Sequence, residues 1–318
     1  MHLLQEHEVA PGRRRGLLPT GLEGVDLPVW TIQGGQPGPT LVLTAGVHGC
    51  EYVGILALRA LFDQISPEKV KGRLLLLPLV NSGGFYAGAK RVVPGDGKNI
   101  NRAFPARANG TVTERIAYAI QTQIYPEADF LLDLHGGDAN EAMTPLIFYP
   151  ADAEPSVRNT ALLGAMHLEA GYRVPSTSRD GLYSCAARRG VPALLMEVGG
   201  QGLWSQEQVA MELRSIYSLM GALDMGGQAI PNDTQMEVLE ASYDVAETAG
   251  LWFPEVFPGQ RVAAGAVLGT VVSLDGELLQ TVKVRWDGVV LYHTVALGVE
   301  KGEALVACGR LAGNYWDR

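Results

Sequence analysis

Leu41-Val42-Leu43-Thr44-Ala45 is followed by Gly46-Val47-His48-Gly49-Cys50-Glu51 and then by Tyr52 to Phe62. A short apolar run, closed by small residues and succeeded by a helical pattern, is how a buried strand hands over to a helix in a parallel sheet. The signature recurs along the chain. Leu74 to Val80 reads as a strand, although Pro78 interrupts it. Phe130 to Leu134 and Ala193 to Met196 are further short apolar runs, and Thr113 to Ile124 reads as a helix. From Ser205 a helix is expected to about Met225, opened by Ser205 and Gln208 at capping-box spacing and stopped by Gly226. The expected class is α/β, with a mixed, mostly parallel sheet flanked by helices.

After Gly227 the texture changes. Ile230-Pro231-Asn232-Asp233-Thr234 is turn-rich, and beyond it short strand-like runs are broken by glycines. A boundary is therefore expected near residue 230, dividing the chain into a larger domain over 1–230 and a small all-β domain over 231–318. The spacing from Gly259 to Gly309 resembles the barrel-sandwich fold of lipoyl and biotinyl carriers. A carrier lysine would fall near Leu274 to Leu279, where there is none. The segment is expected to pack against the first domain rather than to carry a cofactor.

With 47% hydrophobic and 19% charged residues among 318, the chain has ample material for a core, which excludes disordered and fibrous classes. Lys and Arg number 25 against 34 Asp and Glu, a net charge of -9 that argues against a nucleic-acid surface. The run Arg13-Arg14-Arg15 reads as a solvated arm. Cys50, Cys185 and Cys308 are odd in number and widely spaced, so no disulfide framework is encoded and a reducing compartment is expected. Met1 to Arg15 lacks an apolar signal-like core, and the longest apolar run falls far short of roughly 20 membrane-spanning residues. These features lead to the expectation of a cytoplasmic enzyme, with no nucleic-acid or membrane partner.

The chemistry-bearing residues cluster where apolar runs end. His48 and Glu51 follow the first strand, and an imidazole with a carboxylate suits a borderline cation such as Zn²⁺. A lone His-x-x-Glu is weak evidence. His135, in Asp133-Leu134-His135-Gly136-Gly137, supplies the missing ligand at another strand end, and open α/β sheets bind ligands outside the carboxyl ends of their strands. Glu197 closes the run Ala193 to Met196. A carboxylate there needs a partner or a task, which makes it the candidate general base. Asp133 reads more readily as a plain strand-end acid than as an orienter of His135. Arg91 and the string Asn99-Ile100-Asn101-Arg102 add guanidinium groups able to hold a carboxylate or steady a developing oxyanion. Together these are the parts of a zinc amidohydrolase.

In this order the motifs resemble the zinc carboxypeptidase superfamily, and within it the succinylglutamate desuccinylase and aspartoacylase branch, over roughly Pro28 to Gly202. The resemblance implies one Zn²⁺ per chain on His48, Glu51 and His135, with Glu197 as acid and base. It further implies Arg91 as the oxyanion arginine, and Asn101 with Arg102 as the pair that grips the substrate carboxylate. The small β domain also suits this branch. Four features need checking. Asn99 stands where many members have an aspartate supporting a ligand histidine. Cys50, between two ligands, is expected to be inert. A late tyrosine over the substrate could be Tyr243, Tyr292 or Tyr315, and Arg179 could reach an acyl pocket or remain on the surface. The implied reaction is hydrolysis of the amide bond of a small N-acyl amino acid. A metallocarboxypeptidase acting on peptides is the nearest alternative, followed by a non-catalytic binding module, and a homo-oligomer is left open.

Overall fold

The computed structural model describes residues 10–88 and 91–312. Its main sheet runs in space through Gly12–Leu18, Leu27–Gln33, Lys71–Leu77, Gln36–Ala45, Phe130–His135, Ala193–Glu197, Leu146–Pro150 and Tyr172–Ser176. The central strands Lys71–Leu77, Gln36–Ala45, Phe130–His135 and Ala193–Glu197 are mutually parallel, so their carboxyl ends share one edge. Leu146–Pro150 runs antiparallel beside Ala193–Glu197, and Gly12–Leu18 and Leu27–Gln33 add an antiparallel margin.

Burial on both faces explains why the central strands read as unbroken apolar runs. Leu41, Leu43 and Ala45 pack into one core with the helices Tyr52–Gln64, Pro155–Ala165 and Gln206–Ala222. Val42, Leu75 and Leu77 face the opposite core, built on the helices Val112–Gln123 and Leu182–Arg188. Successive strand residues point to opposite faces, and here both faces are covered.

Two expected boundaries move. The strand read as Leu74 to Val80 is Lys71–Leu77; it stops before Pro78, which has no N–H for a ladder. The helix from Ser205 begins as expected, with Gln208 N donating to Ser205 Oγ at 3.2 Å, but ends at Ala222 rather than near Met225. Asp224, with φ 53, already leaves the helical path two residues before Gly226.

Beyond the turn-rich segment, the sheet continues instead of stopping. Met236–Val245 pairs in parallel with Tyr172–Ser176 and carries the sheet on to Ala304–Leu311, Gly288–Thr294 and Arg261–Val262. A separate four-stranded sheet holds Leu278–Lys283, Val267–Val272, Gly250–Pro254 and Gly298–Val299 around the buried Trp252. The turn before Leu278 contains no lysine. No helix among the described residues is long and apolar enough to cross a membrane.

Candidate metal centre and substrate cleft

Ala45 ends its strand, and Gly46 turns the chain with φ 63, a conformation open to glycine at little cost; a Cβ there would also lie 2.9 Å from Leu79 Cδ1. The turn delivers His48 and brings Glu51 to the N-cap of the helix Tyr52–Gln64. His135 closes the neighbouring strand at the same edge. One ligand atom from each of His48, Glu51 and His135 lies within 4.8 Å of the others, which could hold a metal ion.

Both imidazoles turn Nδ1 toward Glu51. His48 Nδ1 is 2.6 Å from Glu51 Oε1, and His135 Nδ1 is 2.9 Å from Glu51 Oε2. The latter contact lacks hydrogen-bond alignment, so the buried Glu51 Oε2 has no hydrogen-bond partner. Burial alone would raise the Glu51 pKa; the facing imidazoles outweigh it and bring the carboxyl down to about 2. A carboxylate kept ionised in a buried place, with an orphaned oxygen between two imidazole nitrogens, is a donor set suited to a divalent cation.

The remote nitrogens are held as well. His48 Nε2 lies 3.1 Å from Asn99 Oδ1, so the neutral amide does the supporting despite its lack of charge. His135 Nε2 lies 3.2 Å from Asp133 Oδ2, while Thr44 Oγ1, on the adjacent strand, donates to Asp133 Oδ1 at 2.6 Å. Asp133 is thus an orienter of His135 and not a plain strand-end acid. Its carboxylate has no solvent exposure, and these partners offset its burial. Desolvation would lower the His135 pKa, but Asp133 and Glu51 together raise it well above the ordinary value.

Glu197 stands beside His135 in the strand pairing and lines the same cleft. Its Oε2 is buried without a hydrogen-bond partner, and desolvation pushes its pKa well above the usual carboxylate range against the pull of His135. A carboxyl poised in this way can carry a proton in either direction.

The loop residues are placed by other means. Asn81 caps the short helix Ser82–Tyr86 through Gly84 N and donates to Val92 O at 3.1 Å, fixing the chain next to Arg91. Arg91 reaches the cleft and pairs with Asp138 through Nε and with Glu141 through Nη2. Arg102 is 60% exposed, donates from Nη1 to Asn101 O at 2.6 Å and meets Asp180 at a loose 3.9 Å, so its guanidinium keeps further N–H donors available. Asn101 also lines the cleft, but its Oδ1 accepts the Leu182 N–H at 2.8 Å, so this side chain secures the neighbouring loop. Arg179 does not join them. It pairs with Asp152 at 3.1 Å, is 69% exposed, and lines neither the cleft nor its neighbour. Its chain position put it near the site, but Asp152 holds its side chain on the surface.

Cys50 is buried, donates from Sγ to Asp138 at 3.2 Å, and has its pKa pushed up to about 12 by desolvation and by Asp138. The thiol therefore stays protonated. Tyr243 and Tyr292 both line the cleft, with ring centroids 6.4 Å apart, and Tyr315 lies outside the described residues. Asp138 and Glu141 escaped the sequence reading; their only local signal is their place just after His135-Gly136-Gly137. The cleft around the three ligands has a volume of about 170 Å³. A cavity of about 650 Å³ shares Asn101, Arg102, Phe148, Glu197 and Tyr243 with it and adds the buried Tyr183.

Such a strand-end cluster could hold a divalent cation beside Glu197, whose buried Oε2 has no hydrogen-bond partner. A sequence profile of the succinylglutamate desuccinylase/aspartoacylase catalytic domain matches residues 37–223. The chain is 32% identical over 291 residues to the N-alpha-acetyl-L-2,4-diaminobutyric acid deacetylase of Halomonas elongata, covering 88% of this chain and 84% of that protein. Its fold matches a succinylglutamate desuccinylase/aspartoacylase from Rhodobacter sphaeroides with TM-score 0.86 and 28% identity, covering 96% of this chain and 98% of the other. The product-bound ectoine utilization protein EutE (DoeB) from Ruegeria pomeroyi gives TM-score 0.86 and 27% identity, with coverage of 96% and 97%. The chain belongs to the succinylglutamate desuccinylase/aspartoacylase family.

Proposed function

We propose that the protein hydrolyses the amide bond of a small N-acyl amino acid carrying one free carboxylate, an uncharged acyl group and a neutral or cationic side chain. The charge balance of the cleft carries this reading. Among the described residues, the two cavities are lined by the cations Arg91 and Arg102 and by Glu51, Asp138, Glu141, Glu197 and Glu240. Arg91 is already matched by two carboxylates, and Arg102 remains for the α-carboxylate of the substrate. A second carboxylate, as in a succinyl group or an aspartate side chain, would meet acids instead of a free cation, and like charges brought together cost several-fold to many-fold in affinity. The Halomonas relative is named for a substrate with an acetyl group and a second amine.

His48, Glu51 and His135 would hold one divalent cation, with zinc as the proposed metal. When bound, it supplies a water of lowered pKa and polarises the acyl carbonyl. Glu197 takes the proton of the attacking water on its buried carboxylate and returns it to the leaving amine nitrogen. Arg91 donates N–H groups toward the acyl oxygen as it gains charge, and Arg102 orients the substrate by its carboxylate. Tyr243 and Tyr292 wall the cleft and limit water.

Product analysis tests this directly. Metal-loaded protein is incubated with N-acetyl-2,4-diaminobutyrate, N-acetylaspartate, N-succinylglutamate and short peptides. The first should exceed the doubly anionic compounds by at least roughly tenfold in kcat/KM. Preference for peptides would favour the carboxypeptidase alternative, and preference for the second or third compound would overturn the charge argument.

A further inference from the structure

We propose that Asp138 and Glu141, held by the late strand Gly288–Thr294, are positioning residues that fix the Arg91 guanidinium in the cleft. The inference rests on the deacylase reading for what Arg91 does, and on the geometry alone for what holds it.

Arg91 has little else to hold it. Its side chain is 47% exposed, and the residue precedes a two-residue strand, Val92–Val93, which pairs with Lys98–Asn99. A long side chain in that setting samples many rotamers and loses that freedom when fixed. The two carboxylates supply the fixing. They engage Nε and Nη2, and a guanidinium has five N–H donors, so donors remain for an acyl oxygen.

The acids are themselves locked to one another. Glu141 Oε2 accepts the Asp138 N–H at 3.1 Å, and the Glu141 N–H donates to Asp138 O at 2.9 Å. Asp138 Oδ1 takes the Cys50 thiol and the Ala139 N–H, at 3.2 and 2.6 Å. Asp138 is only 4% exposed, and a carboxylate so buried requires its partners.

This loop sits between two distant parts of the chain. On one side the backbone after Glu197 touches it: Gln201 N donates to Asp138 O at 2.9 Å, and a Cβ on Gly200 would lie 2.3 Å from Glu141 O. On the other side Glu141–Met143 pairs with Gly288–Thr294, with Glu141 opposite Thr294. Thr294 Oγ1 and the Val295 N–H both donate to Asn140 O, at 3.0 and 2.7 Å. The late strand Gly288–Thr294 thus reaches Arg91 through two hydrogen-bonded links, Thr294 to Asn140 and Glu141 to the guanidinium.

The test is a double-mutant cycle on the full, metal-loaded protein. Glu141→Gln and Thr294→Val should each lower kcat roughly tenfold, less than the 10²–10³ expected for removing an oxyanion donor outright, and Glu141→Asp should recover part of the loss. KM for the acyl amino acid should change by less than about twofold, because Arg91 acts on charge that develops later. Neither substitution should cost more once Arg91→Ala is present. Equal losses with and without Arg91 would show a merely structural role and overturn the proposal. In parallel, nitrogen-15 NMR of the arginine Nε–H groups, with the Arg91 signal identified by its loss in Arg91→Lys, should show a protected resonance that Glu141→Gln and Thr294→Val release. If the native protein hydrolyses no acyl amino acid, the deacylase reading falls while this resonance still decides the positioning: an unshifted signal in both variants overturns it.

Discussion

The two walls of the cleft are built differently. One carries His48, Glu51, His135 and Glu197 at the ends of parallel strands, with both imidazoles held from behind by Asn99 and Asp133. The other carries Arg91 on a loop and Arg102 on the short turn Ile100–Arg102, and there the partners are the carboxylates of Asp138, Glu141 and Asp180. Strand ends fix a side chain by covalent geometry and by a sheet buried on both faces. Loops fix it only as well as its tertiary partners do. The proposed chemistry divides along the same line: groups that would have to meet at one point sit on the rigid wall, and groups that would follow a substrate sit on the adjustable one.

The largest effect should come from the rigid wall. Glu197→Gln keeps the shape but cannot accept or return a proton, so kcat should fall by roughly 10²–10⁴ while metal content and the far-ultraviolet circular dichroism stay native. Near-native turnover would remove Glu197 from the chemistry and erase the proposed distinction between the walls.

Next comes the support behind the ligands. Asp133→Asn leaves an amide able to accept from Thr44 but removes the charge behind His135, and metal affinity should drop roughly 10- to 100-fold in a competition titration. An unchanged affinity would mean that the strand alone orients His135.

How much of this was legible in the sequence follows from the same contrast. The runs ending at Ala45, Leu134 and Met196 announce buried strands, and each ligand or acid follows its run within a few residues, so one local pattern encodes both position and chemistry. Helix starts were legible for a similar reason, as Ser205 and Gln208 carry their own signal. The strands Gly12–Leu18, at the sheet margin, and Tyr172–Ser176, inside the sheet, were not read, because runs that mix polar and apolar residues look like loop. Nor were the roles of Asp133, Asp138 and Glu141 legible. A carboxylate looks the same in sequence whether it faces water or a buried imidazole, and only Thr44, Cys50 and Arg91, all distant in the chain, decide which.

The helix Gln206–Ala222, behind the rigid wall, offers a smaller test. Glu212 has no solvent exposure, neither of its oxygens has a hydrogen-bond partner, and burial raises its pKa well above the usual range. Folded, it keeps a proton that the unfolded chain releases above about pH 4.3, so its contribution favours folding below that pH and is lost as pH rises toward the folded value. Glu212→Gln removes this titration. The fall in Tm of the native protein between pH 5 and pH 8 should therefore shrink in the variant. An identical slope in both proteins would show that Glu212 is ionised and paired in solution.

The smallest effects belong to the adjustable wall, where two arginines of similar exposure and opposite surroundings can be compared. Arg102 has one loose ion pair and lines both cavities, whereas Arg179 is held at the surface by Asp152. Lys in place of Arg102 keeps the charge but loses the planar fork, so one hydrogen bond to the substrate carboxylate goes, worth ~1 kcal/mol, and KM should rise about fivefold with kcat little changed. Arg179→Ala removes an exposed ion pair of near-zero net worth and should leave both constants within about twofold. Should Arg179→Ala raise KM as much as Arg102→Lys, Arg179 must leave Asp152 to meet the substrate. The cleft would then own a second cation when occupied, and the argument against doubly anionic substrates would fail at its first step, since that argument counts Arg102 as the one guanidinium free to receive a carboxylate.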